Sequence, residues 1–135
     1  MKLALDTNVI TYYLKGHERT VKKIDNEAES DNIIIPPFVY FEIKKWLLAN
    51  NSKTKLQAFE KLFDKFGIDI IDKEIFDISL SIYMKLREKG LIIDDGDILI
   101  AAYCIKNDYT LVTNNLKHFK NIEDIQIIDW SSICF

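Results

Sequence analysis

Apolar positions in this chain fall in short runs, separated by stretches where they recur at helical spacing. Residues 2–5 read as a short buried strand carrying Leu3, Ala4 and Leu5. Residues 9–15 read as a helix ending near Gly16, and residues 21–28 as a second helix. Ile33, Ile34 and Ile35 form a β-branched run stopped by Pro36 and Pro37, hence a strand. Proline suits a first helical turn, so residues 38–49 read as a helix. Leu56, Phe59, Leu62, Phe63 and Phe66 mark another helix, with Gly67 as its C-cap. Residues 68–71 read as a short strand. Asp72 caps the next helix, whose stripe is Ile75, Ile78, Ile82 and Leu86, and Gly90 ends it. Residues 98–105 are apolar almost all round and predict a buried helix. Residues 110–113 and 125–128 read as strands. Short apolar strands alternating with helices predict an α/β fold with a short central parallel sheet and helices on both faces. Functional residues in such sheets gather at the carboxyl ends of the strands.

Composition narrows this picture. The 135 residues, 48% hydrophobic and 29% charged, fit one domain over residues 1–135. With 4 glycines and 2 prolines, no linker or low-complexity tract is apparent. Cys104 lies in an apolar run and, with Cys134, makes no disulfide framework, which predicts a reducing compartment. The opening apolar run is too short for a signal peptide, and no stretch approaches membrane-spanning length. The default expectation is a cytoplasmic protein. A net charge of -3 argues against a sequence-independent nucleic-acid binder. The cations are nonetheless clustered: Lys15, Arg19, Lys22 and Lys23 early, Lys44 and Lys45 on one helix, then Lys53, Lys55, Lys117 and Lys120. Most read as solvated helix faces, with some available to line a groove for phosphates.

Three acids carry the candidate chemistry. Asp6 follows the opening strand directly, where either a helix N-cap or a metal ligand is expected. Glu42 lies within Phe38-Val39-Tyr40-Phe41-Glu42-Ile43 and shares a helix face with Phe38, Val39 and Trp46. A carboxylate there is snorkelling, paired with Lys45, or functional, because an isolated buried charge is costly. Asp97 opens the most apolar helix, where the helix dipole alone favours an acid. Asp94, Asp95 and Asp97 crowd one loop, however, and repel unless screened. Hard oxygen ligands at element ends suit Mg²⁺ or Mn²⁺. His17 and His118 stand alone, so no softer metal competes. No Gly-rich phosphate loop and no Gly-x-Ser-x-Gly elbow occurs.

With these residues in place, the chain resembles the PIN-domain nucleases, and most closely the VapC-type toxins of bacterial and archaeal toxin–antitoxin pairs. The likeness runs through Leu5-Asp6-Thr7-Asn8, Pro37 with Glu42, Gly96-Asp97-Ile98-Leu99-Ile100-Ala101-Ala102, Leu111-Val112-Thr113-Asn114-Asn115 with His118-Phe119, and Ile127-Ile128-Asp129-Trp130. It implies a PIN-like fold and Mg²⁺- or Mn²⁺-dependent endoribonuclease activity on an RNA substrate. It further implies a VapB-type antitoxin as partner, and a homodimer. By position, Asp6, Glu42 and Asp97 match the family's acidic site residues and its metal ligands, and Thr113 matches a polar residue beside them. Many relatives carry a further acid where this chain has Asn115, a neutral oxygen ligand or hydrogen-bond donor. Asp94 or Asp95 is a candidate to compensate.

Other readings of the same residues remain. A dehalogenase-type phosphatase also begins with an Asp at a first strand end, but wants a second acid where Asn8 stands. A non-enzymatic α/β partner-binding module predicts a salt-bridged Glu42 and no metal. A PIN nuclease acting in RNA maturation shares every site residue with a toxin.

Overall fold

A computed structural model of the chain describes residues 2–30 and 32–130. Cys134 lies outside them. Four short strands, β1 (Leu3–Leu5), β2 (Ile33–Ile34), β3 (Thr110–Val112) and β4 (Gln126–Ile128), form one sheet in the order β2-β1-β3-β4. All three pairings are parallel. Every residue of β1 and β3 is buried, as central strands covered on both faces must be. The edge strand β4 is partly exposed.

Helices supply the crossovers that parallel strands require. They are α1 (Thr7–Leu14), α2 (Glu18–Glu29), α3 (Pro37–Ala49), α4 (Lys53–Phe66), α5 (Lys73–Glu88), α6 (Asp95–Asn107) and the single turn α7 (Leu116–Phe119). Pro37 begins α3 as expected, and Val39, Ile43 and Leu47 form its buried row at four-residue spacing. Gly67, at φ +73°, ends α4 in a conformation that disfavours a side chain. In α6, Ile100, Ala101, Ala102 and Cys104 are fully buried. Its two alanines let the helix backbone lie close to its neighbours.

Two features of the sequence pattern are corrected. Residues 68–71 form no strand. Ile68 and Ile70 are 56% and 76% exposed, and no sheet neighbour takes this segment. The Ile70 N–H instead donates to the Asp69 side chain at 2.8 Å, a local bond in place of a ladder bond. The helix expected over residues 21–28 begins earlier, at Glu18, and α7 carries no apolar periodicity by which to foresee it.

The topology decides where a site forms. The chain leaves β1 toward β2 and leaves β3 toward β4, so adjacent strands diverge. A crevice is expected at their carboxyl ends. The β1–β3 register ends with Leu5 opposite Val112, which sets Asp6 beside Thr113 one step beyond.

Candidate active site

Asp6 sits at that junction, 3% exposed. Its backbone N–H donates to Val112 O at 2.9 Å, continuing the sheet by one bond. Its carboxylate is held from two sides. Oδ1 accepts from the Thr7 N–H at 2.7 Å, and Oδ2 accepts from the Thr113 hydroxyl at 2.6 Å. Asp6 is therefore the N-cap of α1 and a lining acid of the cleft at once. The Thr113 hydroxyl in turn accepts from the Asn115 N–H at 3.0 Å.

Glu42 projects from α3 and is half-buried. Oε1 accepts from the Thr7 hydroxyl at 2.8 Å. It forms no ion pair among the described residues, and Lys45 lies instead over the Phe41 ring. Asp97, in the first turn of α6, meets the His118 ring of α7, with Nδ1 2.9 Å from Oδ2. Helices α3 and α6 are brought together at Gly96. A Cβ built there would lie 2.3 Å from Cε1 of Phe38 on α3, so only glycine admits the approach.

Asp6, Glu42, Asp97 and Asn115 line one open cleft of about 400 Å³, together with Asn8, Asp94, Lys15 and His118. Of the two loop acids, Asp94 faces this cleft. Asp95 lines a separate apolar hollow with Phe76, Leu80 and Tyr83. Lys44 and Lys45 do not line the cleft. Lys44 donates to the Tyr40 hydroxyl and pairs with Glu60. Reading the residues alone does not single out His118, Asn8 or Lys15 as members of the site. His118 looks solitary because its partner, Asp97, is twenty-one residues away. Asn8 has the better signal, one step beyond Thr7 in the segment that follows β1.

The acids are electrostatically uncomfortable. Burial pushes the Asp6 carboxyl up, against the Thr113 hydrogen bond. Burial also raises Glu42, with the Asp6 charge adding to it. Asp97 is pushed up to about 6, first by burial and then by the Asp6 charge, while His118 pulls the other way. A dication relieves this kind of frustration.

Do the residues fit one? Apart from the His118 ring, the candidate donors are oxygens. Asn8 lines the same cleft, and its Oδ1 is a buried acceptor with no hydrogen-bond partner. Such an atom wants a donor or a cation. Among the described residues, no three acid, histidine or cysteine side chains stand as a preformed cage. Mg²⁺ does not need one, since it keeps several waters and takes one or two carboxylates plus substrate phosphate. The set fits a hydrated hard cation.

This geometry has relatives. The PIN domain family model matches residues 3–125. The chain belongs to the PIN domain family. Within it, the similarity is to VapC ribonucleases. The chain is 31% identical to Ribonuclease VapC2 of Rickettsia felis, over 93% of this chain and 96% of that one. It is 31% identical to Ribonuclease VapC1 of Methanocaldococcus jannaschii, covering 91% and 82%. The solved structure of VapBC2 from Rickettsia felis, bound to a promoter DNA fragment, superposes with a TM-score of 0.84 at 27% identity, covering 96% and 99%. The doubly covered parallel sheet described above is thus that of a PIN domain.

Proposed function

We propose that this PIN domain is a Mg²⁺- or Mn²⁺-dependent endoribonuclease, the toxin of a VapBC-type pair, held in check by a VapB-type antitoxin. The observation that carries the reading is that Asp6, Glu42 and Asp97, from three separate elements, line one cleft at the carboxyl ends of β1 and β3. VapC ribonucleases as relatives support the RNA substrate and the toxin role. The apolar hollow lined by Phe76, Leu80, Tyr83 and Leu99 supports assembly as a homodimer.

Each residue then has a task. Asp6 and Asp97 hold the cation, directly or through waters, and Asn8 offers it a neutral oxygen. Bound there, a hard dication supplies Lewis acidity toward a phosphoryl oxygen and a counter-charge to the acids. Glu42 has one oxygen fixed by Thr7, and its other oxygen orients the attacking water. Thr113 keeps Asp6 aimed into the cleft. Asn115 supplies a polar rim without charge, which favours one strong cation position over two. Water is the nucleophile, so no covalent intermediate forms.

The test is RNA cleavage by the purified chain in Mg²⁺, in Mn²⁺ and in EDTA, beside Asp97→Asn. Cleavage confined to the cation-containing reactions and abolished in Asp97→Asn is expected. Activity that survives EDTA, or an unchanged variant, refutes the reading.

A further inference from the structure

Two of the cleft's acids are held from one short stretch of chain. Thr113, just past β3, donates to Asp6 Oδ2, and His118, five residues on in α7, meets Asp97 Oδ2 at 2.9 Å. The stretch between them is tied to itself. The Asn115 N–H donates to the Thr113 hydroxyl and the His118 N–H donates to Asn115 O, each at 3.0 Å. The next residue, Phe119, is fully buried and fixes α7 against the core. Asp97 needs such a hold. It lies in the first turn of α6, and among the described residues its carboxylate has no hydrogen-bond or ion-pair partner but His118. The Asp6 charge works against it, and a side chain at a helix end is free to turn toward water.

We propose that residues 113–118 form a clip that keeps Asp6 and Asp97 in place for a shared cation, with His118 as the positioning residue for Asp97. The inference rests on the reading of this cleft as the cation site of a nuclease. The role needs only an N–H at ring Nδ1, which the imidazolium and one neutral tautomer both supply. Partners behind a metal-binding side chain orient it and tune its affinity. They do so without adding much to folding here, because the His118 side chain is 48% exposed and exposed pairs contribute little stability. A bare-charge view predicts the opposite sign. A histidine on Asp97 would then compete with the cation, and its loss would tighten binding. The geometry favours the clip, since His118 engages Oδ2 from an anchored turn and leaves Oδ1 for the cation.

The experiment is calorimetric titration with Mn²⁺ at pH 8 on the wild type, His118→Ala and His118→Asn, beside Tm in EDTA and RNA cleavage across a Mn²⁺ series. The asparagine amide nitrogen branches from Cγ as ring Nδ1 does, and it carries no charge. His118→Ala should bind Mn²⁺ at least about tenfold more weakly. Its Tm in EDTA should move by no more than about 3 °C. His118→Asn should bind nearly as wild type. Cleavage by His118→Ala should need correspondingly more Mn²⁺ and reach the wild-type kcat at saturation. Affinity unchanged or tightened in His118→Ala overturns the proposal, and the second result makes His118 a competitor of the cation. So does failure of His118→Asn to restore affinity, which assigns the loss to ring packing or charge. A kcat that stays low at saturating Mn²⁺ overturns it too, because His118 would then act on the RNA itself. Cleavage and Mn²⁺ binding by the wild type with no effect of the variants sinks the clip and leaves the nuclease reading standing. His118-dependent Mn²⁺ binding without RNA cleavage does the reverse, and a wild type that binds no Mn²⁺ overturns both.

Discussion

Replacing Thr113 by valine isolates one hydroxyl. The side chain is fully buried, and valine keeps its shape. The hydroxyl donates to Asp6 Oδ2 at 2.6 Å and accepts from the Asn115 N–H at 3.0 Å. Losing a hydrogen bond to a charged acceptor costs about 1.5–3 kcal/mol. At roughly 3 °C per kcal/mol for a domain of this size, Tm in EDTA should fall by about 5–9 °C. The same loss acts on proton affinity. Burial raises the Asp6 carboxyl, and the Thr113 hydrogen bond is the strongest influence opposing it. Without that bond the carboxyl rises further. Protons then compete better with a cation at low pH. Calorimetric titration with Mn²⁺ at pH 6 and pH 8 should show Thr113→Val weakened at the lower pH and by much less at the higher. Thr113→Ser should restore both. Equal Mn²⁺ affinity for Thr113→Val and wild type at pH 6 would refute the reasoning, and a deficit identical at both pH values would refute the protonation part of it.

Three further outcomes follow from the same geometry. Gly96→Ala should cost about 1–3 kcal/mol of stability, because the new methyl must displace the Phe38 ring; denaturant unfolding reads that loss, and RNA cleavage should fall with it as Asp97 shifts away from Glu42. The Asp97 carboxyl, pushed up to about 6 in the fold against an ordinary 3.8, holds its proton more tightly folded than unfolded. In EDTA, stability should therefore decline as pH rises from about 4 to about 6 and then level, and Asp97→Asn should show a shallower decline and a higher Tm at pH 7.5. A Tm equal to or below wild type there counts against the charge argument. Mn²⁺ at about a hundredfold excess over its Kd should stabilise the wild type by about 2.7 kcal/mol, reversed by EDTA and absent in Asp97→Asn.

Much of the fold is legible in the residues, for identifiable reasons. The runs at Leu3–Leu5, Ile33–Ile34 and Thr110–Val112 lie at the middle of the sheet or beside it, so burial writes itself into consecutive apolar residues. Asp6 is legible because it ends such a run. The isoleucines at 68, 70 and 71 mislead by the same logic. A β-branched run signals a strand only when a neighbour covers it, and here Ile68 and Ile70 face solvent. Helical spacing puts Glu42 on an apolar face, yet the buried row of α3 is Val39, Ile43 and Leu47, and Glu42 lies at its edge. Its true partner, Thr7, is thirty-five residues away and no local pattern could name it. The Asp97–His118 contact is hidden likewise, since it depends on how α7 packs beside α6. Lys44 and Lys45 draw notice as a charged pair, but a helix has sides, and theirs does not face the cleft.

Asp6 both caps α1 and serves the cleft, whereas the Asp97 carboxylate leans on the half-exposed His118. On the toxin reading, consider cells selected for surviving expression of this chain. Changes to alanine at the two acids should both be recovered, but for different reasons. Asp6→Ala strands the Thr113 hydroxyl and the Thr7 N–H at a buried junction, so survivors of that kind should contain little of the protein. Asp97→Ala removes a repelling charge and leaves His118 to water, so its survivors should accumulate folded, inert protein that still occupies its antitoxin. Only the second class would leave free antitoxin scarce, and the two could be told apart in the cell by the amount of protein alone.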